Sequence, residues 1–324
     1  MKLKGKNKWY WHAAPPRLGL ALGSGSARGW AHIGVLQALR EEGVRLDVIC
    51  GSSIGALVGA AYAGGELERF ADWVQGLGLR DVFGFMDFNL SGGMLKGEKL
   101  IAFWRRNFAD FDIDASPLPF GAVATDLHSG AEVWLRHGSI ADAVRASIAL
   151  PGLFTPVNHT DGRLLVDGGL VNPVPASLAR AMGADIVIAV DLNSDILHRH
   201  MHPLAVVREP QASVPTDAAP VPGPEPVPEP LVSADWMRRL KFWAPASGEA
   251  PPPKPSALDV IMTSVNIMQM RITRSRMAGD PPEVVIAPRL AHLGLLDFHR
   301  ASEAIAEGRR AAHASLPQLR QFMG

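Results

Sequence analysis

The pentad Gly51-Ser52-Ser53-Ile54-Gly55 fits Gly-x-Ser-x-Gly, a pattern that mounts a serine hydroxyl on a strand-to-helix turn. It stands where the pattern needs to stand, after the apolar run Leu46 to Cys50 and before the small-residue stretch Ile54 to Ala63. Gly51 and Gly55 allow a turn too sharp for residues with a β-carbon, which pushes the Ser53 hydroxyl off the sheet end with a helix N-terminus beneath it. Presented in this way, Ser53 suits nucleophilic attack on an acyl carbonyl. The alternative reading of the same residues is a plain glycine-rich turn.

Upstream, Gly23-Ser24-Gly25-Ser26-Ala27-Arg28-Gly29 also joins a strand to a helix, so its amides converge outside the sheet and suit an anion. A dinucleotide fingerprint would require glycine where Arg28 stands, and an acidic residue closing the next strand where the chain has Cys50-Gly51-Ser52-Ser53. A Walker A loop fails because no Gly-Lys-Ser/Thr follows. If Ser53 attacks a carbonyl, the loop from Gly23 through Ser24 and Gly25 to Ser26 can hold the oxyanion, at roughly 2.7 to 4 kcal/mol per donor.

A serine hydroxyl needs a base, and with 11 histidines a Ser-His-Asp triad comes first. The histidines are poorly placed: His198, His200 and His202 adjoin a proline-rich stretch, and His292, His299 and His313 fall on a late loop and helix with no turn to present them. Asp167 in Leu165-Val166-Asp167-Gly168-Gly169 is the better candidate, since a strand delivers the carboxylate and two glycines let the backbone turn at once. In an apolar cleft its pKa would rise, allowing it to take the serine proton without an imidazole relay. The same tripeptide also reads as an ordinary Asp-Gly turn.

Smaller expectations attach to other residues. Arg28 suits either a phosphate head group or the protein's own carboxylates. Asp126 caps a turn, and Cys50 is a buried small residue under the elbow. Phe83 to Phe88, followed by Ser91-Gly92-Gly93, reads either as a hinged loop over an acyl groove or as a loop contacting the core.

The elements that must position these groups alternate short apolar runs with longer helical ones, the signature of a mainly parallel sheet with crossover helices. Strands are expected at Leu18 to Leu22, Leu46 to Cys50, Phe120 to Ala124, Glu132 to Leu135, Leu164 to Val166, Ile186 to Asp191 and Val284 to Ala287. Helices are expected at Arg28 to Glu42, stopped by Gly43, and at Ile54 to Ala63, Gly97 to Phe108, Ile140 to Ala149, Pro175 to Met182, Leu258 to Arg276 and Phe298 to Ser315.

Composition narrows the function classes. Of 324 residues 47% are apolar and 20% charged, at a mean hydropathy of +0.08, so the chain can bury a sizeable core. Lys+Arg and Asp+Glu both total 32, which disfavours nucleic acid as a partner. The single Cys50 excludes an internal disulfide and a multi-thiolate zinc site, and no metal or cofactor is expected. Lys2, Lys4, Lys6 and Lys8 open the chain like a signal peptide, but Pro15, Pro16, Gly19, Gly23 and Gly25 break the apolar segment, so an uncleaved cytoplasmic protein is expected. Val48 to Gly65 is long enough to raise a membrane span, yet its seven Gly and Ser residues suit a strand, a turn and a buried helix better.

Between Pro203 and Pro255 lie 14 of the 26 prolines, which predicts a mobile insertion with polyproline character. Inside it, Leu231 to Trp243 reads equally as an interfacial amphipathic helix or as a short helix docking on its own protein, and Trp9, Tyr10 and Trp11, beside the four lysines, read first as a disordered basic leader and second as a membrane-interface candidate.

Taken together and in order, the glycine loop with Arg28-Gly29, the Gly51 to Gly55 elbow and Asp167-Gly168-Gly169 resemble the patatin-like phospholipase family, in the look of its bacterial members related to neuropathy-target-esterase-type enzymes. Ala31-His32-Ile33-Gly34-Val35-Leu36, Ala124-Thr125-Asp126-Leu127, the run Ala146 to Phe154 and Asn172-Pro173-Val174-Pro175 extend the match. It covers Arg17 to Asn193, with a weaker echo from Leu258 to Leu319. The resemblance implies a three-layer α/β fold with a central mainly parallel sheet flanked by helices, a Ser53–Asp167 catalytic dyad and an oxyanion hole in the glycine loop. The expected division is a leader at 1–16, a catalytic core at 17–200, the proline-rich insertion at 201–256, and a closing helix-strand-helix at 257–324. Ser24 and Ser26 replace glycines of the common loop, leaving their amides in place but less room at Ser26. The function implied is a serine acyl hydrolase, a carboxylic ester hydrolase acting on lipid esters or lysophospholipids with peripheral membrane contact. Its rivals are acyl transfer from the same intermediate and a non-catalytic acyl-binding regulator.

Overall fold

Leu18–Leu22 forms β1, a run of five buried residues that can only be satisfied at the middle of a sheet covered on both faces. The computed structural model, which describes residues 15–78, 81, 97–195 and 257–323, places it there. The leader through residue 14, the aromatic loop from Phe83 to Gly93, the proline-rich stretch with Leu231 to Trp243, and His198, His200 and His202 lie outside the described residues.

Beside β1 run β2 (Val48–Ser52) and β3 (Phe120–Asp126) on one side and, on the other, β7 (Ile186–Val190) followed by β8 (Val284–Ile286), all parallel. Two strands run the other way, β4 (Glu132–Leu135) and β6 (Leu164–Asp167), each pairing with β3; β5 (Val157–Asn158) pairs antiparallel with β6 and so runs in the direction of the parallel set. A strand has two edges, and the register shows how β3 shares them. Ala122 pairs with both Gly51 and Leu135, and Ala124 with both Val133 and Asp167. β4 therefore takes one edge of β3, while β2 and β6 share the other, arriving from opposite directions. Their C-terminal ends meet at neighbouring rungs, Ser52 opposite Val123 and Asp167 opposite Ala124.

Helices cover both faces. Along β1 the side chains alternate: Leu20 and Leu22 join the large cluster under α1 (Ala31–Glu41), α2 (Ile54–Ala63) and α8 (Ala301–Met323). Ala21 joins Cys50, Val123 and Val187 on the opposite face, against Leu178 and Ala179 of α6 (Ala176–Ala181). The result is a three-layer α/β fold with a mainly parallel central sheet. Each fully buried Leu, Ile or Phe contributes on the order of 1.5 to 3 kcal/mol of burial free energy. α1 and α8 cross closely enough that a β-carbon at Gly34 would come 1.9 Å from the Ile305 carbonyl oxygen, and one at Gly308 the same distance from that of Ala31. α3 (Leu67–Gln75), whose apolar Leu67, Phe70, Ala71 and Val74 follow helical spacing, is absent from the sequence expectation. Phe70 packs edge-on against Trp30, and against Trp104 of α4 (Glu98–Asn107).

Three boundaries differ from expectation for visible reasons. β2 begins and ends two residues late, because Gly51 and Ser52 still pair with Ala122 and Val123. A 3-10 turn, Ser26–Trp30, precedes α1, where Ser26 takes a positive φ of 52° that no α-helix admits. α8 runs on through Pro317 to Met323, since Leu316 and Leu319 are buried on either side of it and outweigh the lost amide donor. Among the described residues no helix is long and apolar enough to cross a membrane.

Candidate active site

Ser53 sits between β2 and α2 at φ 56°, ψ −126°, a conformation that L-residues rarely adopt. The surroundings enforce it. Its amide donates to Ser147 Oγ at 2.9 Å, and its carbonyl accepts from the amides of Ala56 and Leu57, so α2 starts directly on it. The two flanking glycines are required by close approach: a β-carbon on Gly51 would lie 2.3 Å from the Ala56 nitrogen, and one on Gly55 2.2 Å from the Leu22 carbonyl oxygen. Strain of this kind, held by packing, is a mark of functional turns.

Because the ends of β2 and β6 meet, Asp167 faces Ser53, and Ser53 Oγ donates to Asp167 Oδ2 at 2.5 Å. The other carboxylate oxygen accepts from the amide of Gly169 at 2.7 Å, and the backbone is pinned by Thr125 Oγ1, donating to the Asp167 carbonyl, and by the Asp167 amide, donating to Ala149. Asp167 is fully buried. Burial raises its pKa to about 7, against the opposing effect of the hydrogen bonds from Ser53 and Gly169. No imidazole lies between the two side chains.

The described histidines are elsewhere. His32 is fully buried with its pKa lowered by burial to about 4, hence neutral, and its Nε2 lies 2.7 Å from the Gly23 carbonyl oxygen. His292 and His313 are exposed and stand beside Glu303 and Glu42. Cys50 is buried under the elbow with its thiol pKa pushed up by burial, as a structural cysteine would be.

The glycine loop is narrower in chemistry than expected. The Gly23 amide donates to the Val190 carbonyl at 3.1 Å and the Ser24 amide to Pro173 at 2.8 Å, so both are consumed in holding the loop on the sheet edge. Asn193 Nδ2 donates to the Ser24 carbonyl, and Ser24 Oγ to Gln269 Oε1. The amides of Gly25 and Ser26 take no such partner among the described residues, and both residues line the same cleft as Ser53. Of the two partners expected for Arg28, the side chain takes the protein's own groups, its charge acting on the buried Asp191 carboxylate. Arg28 is 2% exposed and donates through Nη2 to Asn266 Oδ1, so it supports the wall behind Asn266 rather than reaching a head group in the cleft. Asp126 accepts from the His128 amide and the Ser129 hydroxyl, which caps a turn.

The cleft holds about 990 Å³ of empty space, part of it open to solvent. Leu57, Trp73, Leu77 and Leu100 make one apolar wall, and Met262 and Val265 of α7 (Ala257–Gly279) belong to another. Among the described residues no three His, Cys, Asp or Glu converge as metal ligands. Sequence reasoning gave Ser147, at the end of α5 (Ile140–Ser147), no role beyond its place in the matching run Ala146 to Phe154, and had no signal for Gln269, since a lone glutamine in a helix looks the same whatever it faces.

A hydroxyl bonded to a buried carboxylate, two unengaged amides and an apolar cleft are the parts an acyl-transfer site needs. A family model described as patatin-like phospholipase matches residues 20–180, the segment holding all of these backbone and side-chain groups except the cleft wall from α7 onward. A protein of Mycobacterium tuberculosis designated an uncharacterized NTE family protein is 36% identical over 358 aligned positions, spanning 94% of this chain and 92% of that one. Human patatin-like phospholipase domain-containing protein 6 is 38% identical over 185 positions, 55% of this chain and 13% of its own length. Among solved structures, VipD from Legionella pneumophila aligns with a TM-score of 0.44 and 16% identity over 55% of this chain and 50% of that one. By its likeness to an NTE family protein along nearly the whole length of both, and by the family model over the residues that carry Ser53, Asp167 and the glycine loop, this chain belongs to the patatin-like phospholipase family, in its neuropathy-target-esterase-type branch.

Proposed function

We propose that the protein is a serine acyl hydrolase that cleaves carboxylic esters of lipids through an acyl-serine intermediate on Ser53. The 2.5 Å hydrogen bond from Ser53 Oγ to a buried carboxylate is the observation that carries this reading. With its pKa near 7, Asp167 is in part ionised at neutral pH and strong enough as a base to take the Ser53 proton as Oγ attacks the ester carbonyl. The carbonyl oxygen, now an anion, is held by the amides of Gly25 and Ser26. Protonated Asp167 returns its proton to the leaving alcohol oxygen, the carbon–oxygen bond breaks and acyl-Ser53 forms. Water then attacks the acyl carbon, passing its proton to Asp167, and the serine leaves with that proton as the fatty acid is released.

The strained φ of Ser53 serves this chemistry by aiming Oγ at the carboxylate and away from the α2 axis. The apolar cleft favours an acyl chain over a polar substituent, and family membership agrees with lipid substrates. A lipid and lysolipid hydrolysis panel with Ser53→Ala and Asp167→Asn, paired with fluorophosphonate labelling, tests the reading. Fatty acid release and labelling by the wild type, both lost in Ser53→Ala, are expected. Labelling absent from the wild type, or retained in Ser53→Ala, would instead make the cleft a binding site without this chemistry.

A further inference from the structure

α7 carries two faces with different business. At 100° per residue, Met262, Val265, Asn266 and Gln269 share the side that lines the cleft. On the opposite side Val260, Ser264, Ile267 and Arg271 follow at steps of four, three and four residues, flanked by Ile261, Met268 and Arg274. A soluble helix would place charge or amide groups along that outer stripe. Here Val260 is 51% exposed, Ile261 49%, Ile267 47% and Met268 51%, and they are half of the large apolar side chains so exposed among the described residues. Four neighbours on one helix face are a patch, unlike singly scattered surface apolar groups.

The charge on this face has one sign. Past Asp259 in its first turn, α7 holds Arg271, Arg274 and Arg276 and no acidic residue. Arg276 turns inward, donating to Glu132 and to the Val171 carbonyl, whereas Arg271 and Arg274 are exposed on the apolar side. An apolar stripe ending in exposed arginines matches the interface of an anionic bilayer, where the side chains enter the acyl boundary and the guanidinium groups meet phosphate. Packed parallel through this stripe, a second copy of the chain would set its arginines against those of the partner, which a phosphate surface does not.

We infer that the outer face of α7, formed by Val260, Ile261, Ile267 and Met268 with Arg271 and Arg274, is the surface on which the protein docks to an anionic lipid bilayer. One helix diameter, about 10 Å, then separates the bilayer from the cleft. The inference goes beyond the proposed hydrolysis and requires no turnover: Ser53→Ala docks like the wild type, so loss of chemistry and loss of docking are read separately.

The test is co-sedimentation of the full chain with vesicles of phosphatidylcholine alone or mixed with phosphatidylglycerol, at low and high salt. Wild type is expected to bind the mixed vesicles, more weakly at high salt. Ile267→Glu/Met268→Glu should bind about a hundredfold less, and Arg271→Gln/Arg274→Gln roughly thirtyfold less to mixed vesicles with little change on phosphatidylcholine. Both pairs are exposed, so unchanged thermal unfolding and unchanged cleavage of a water-soluble short-chain ester establish that they fold. No vesicle binding by the wild type overturns the inference, as does undiminished binding by Ile267→Glu/Met268→Glu. So does binding lost in Trp236→Glu/Trp243→Glu while the α7 variants retain it, or a dimer in vesicle-free buffer that Ile267→Glu/Met268→Glu converts to monomer.

Discussion

His32 Nε2 stands 2.7 Å from the Gly23 carbonyl oxygen, and this contact fixes the first peptide group of the loop that carries the Gly25 and Ser26 amides. The imidazole is fully buried and neutral, so Nε2 donates, and the Gly23 carbonyl is turned away from the cleft. Replacing His32 by Leu keeps the volume apolar but strands a buried carbonyl, at about 1 to 3 kcal/mol of stability. The expected outcome is a lower thermal midpoint and a kcat reduced about tenfold, with KM nearly constant, because the loop acts on the transition state more than on ground-state binding. Steady-state kinetics with a short-chain ester decide it; a KM increase at constant kcat would assign His32 to substrate binding instead.

The pH dependence of turnover follows from Asp167. Its carboxyl titrates near 7 and the base form is the ionised one, so kcat/KM should rise with pH through about 7 with the slope of a single proton and then level off. A profile measured from pH 5 to pH 9 that is flat below pH 7 would remove Asp167 as the base.

Stability should respond to the same carboxyl with the opposite sign. Between about pH 4 and pH 7 native Asp167 holds a proton that the unfolded chain has released, so its contribution to folding falls as pH rises through that window. His32 opposes it: between pH 4 and 6.5 the unfolded imidazole is protonated and the native one is not, so its contribution rises with pH. Asp167→Asn removes the first effect and leaves the second. Chemical denaturation is expected to show the Asn variant more stable than wild type at pH 8 by an amount on the order of 4 kcal/mol, as a buried carboxyl raised to about 7 implies, with the gap closing below pH 4. Equal stability at pH 8 would mean that the carboxylate is solvated or paired well enough to cost nothing.

How much of this was legible in the sequence depends on how local each cause is. Ser53 and its glycines are readable because the turn is made by five consecutive residues, and α2 spans the expected Ile54–Ala63. Asp167 is readable as a strand-end carboxylate, but the approach of β6 from the opposite direction is not, since an apolar run carries no sign of its direction. That approach is what brings the carboxylate to the hydroxyl. The glycine loop shows its amides in sequence without showing which are consumed: Val190 and Pro173, which take those of Gly23 and Ser24, come from strands and loops more than a hundred residues away. Which of its two expected partners Arg28 takes is hidden for a related reason, because only the fold reveals that α7 supplies Asn266 beside it.

Ser26 separates amide from hydroxyl at the oxyanion site. Its φ of 52° is strained for a residue with a β-carbon, and its hydroxyl donates to the Leu295 carbonyl at 2.6 Å, away from the reaction. Ser26→Gly relieves about 1 kcal/mol of backbone strain, loses one hydrogen bond of about the same worth, and keeps the amide. Stability and kcat should therefore stay within a few-fold of wild type, whereas loss of an oxyanion donor typically lowers kcat by about 10²- to 10³-fold. Measuring kcat with a short-chain ester distinguishes the two cases. A collapse of that larger size in Ser26→Gly would show that the hydroxyl, through Leu295 or directly, does what the amide is proposed to do.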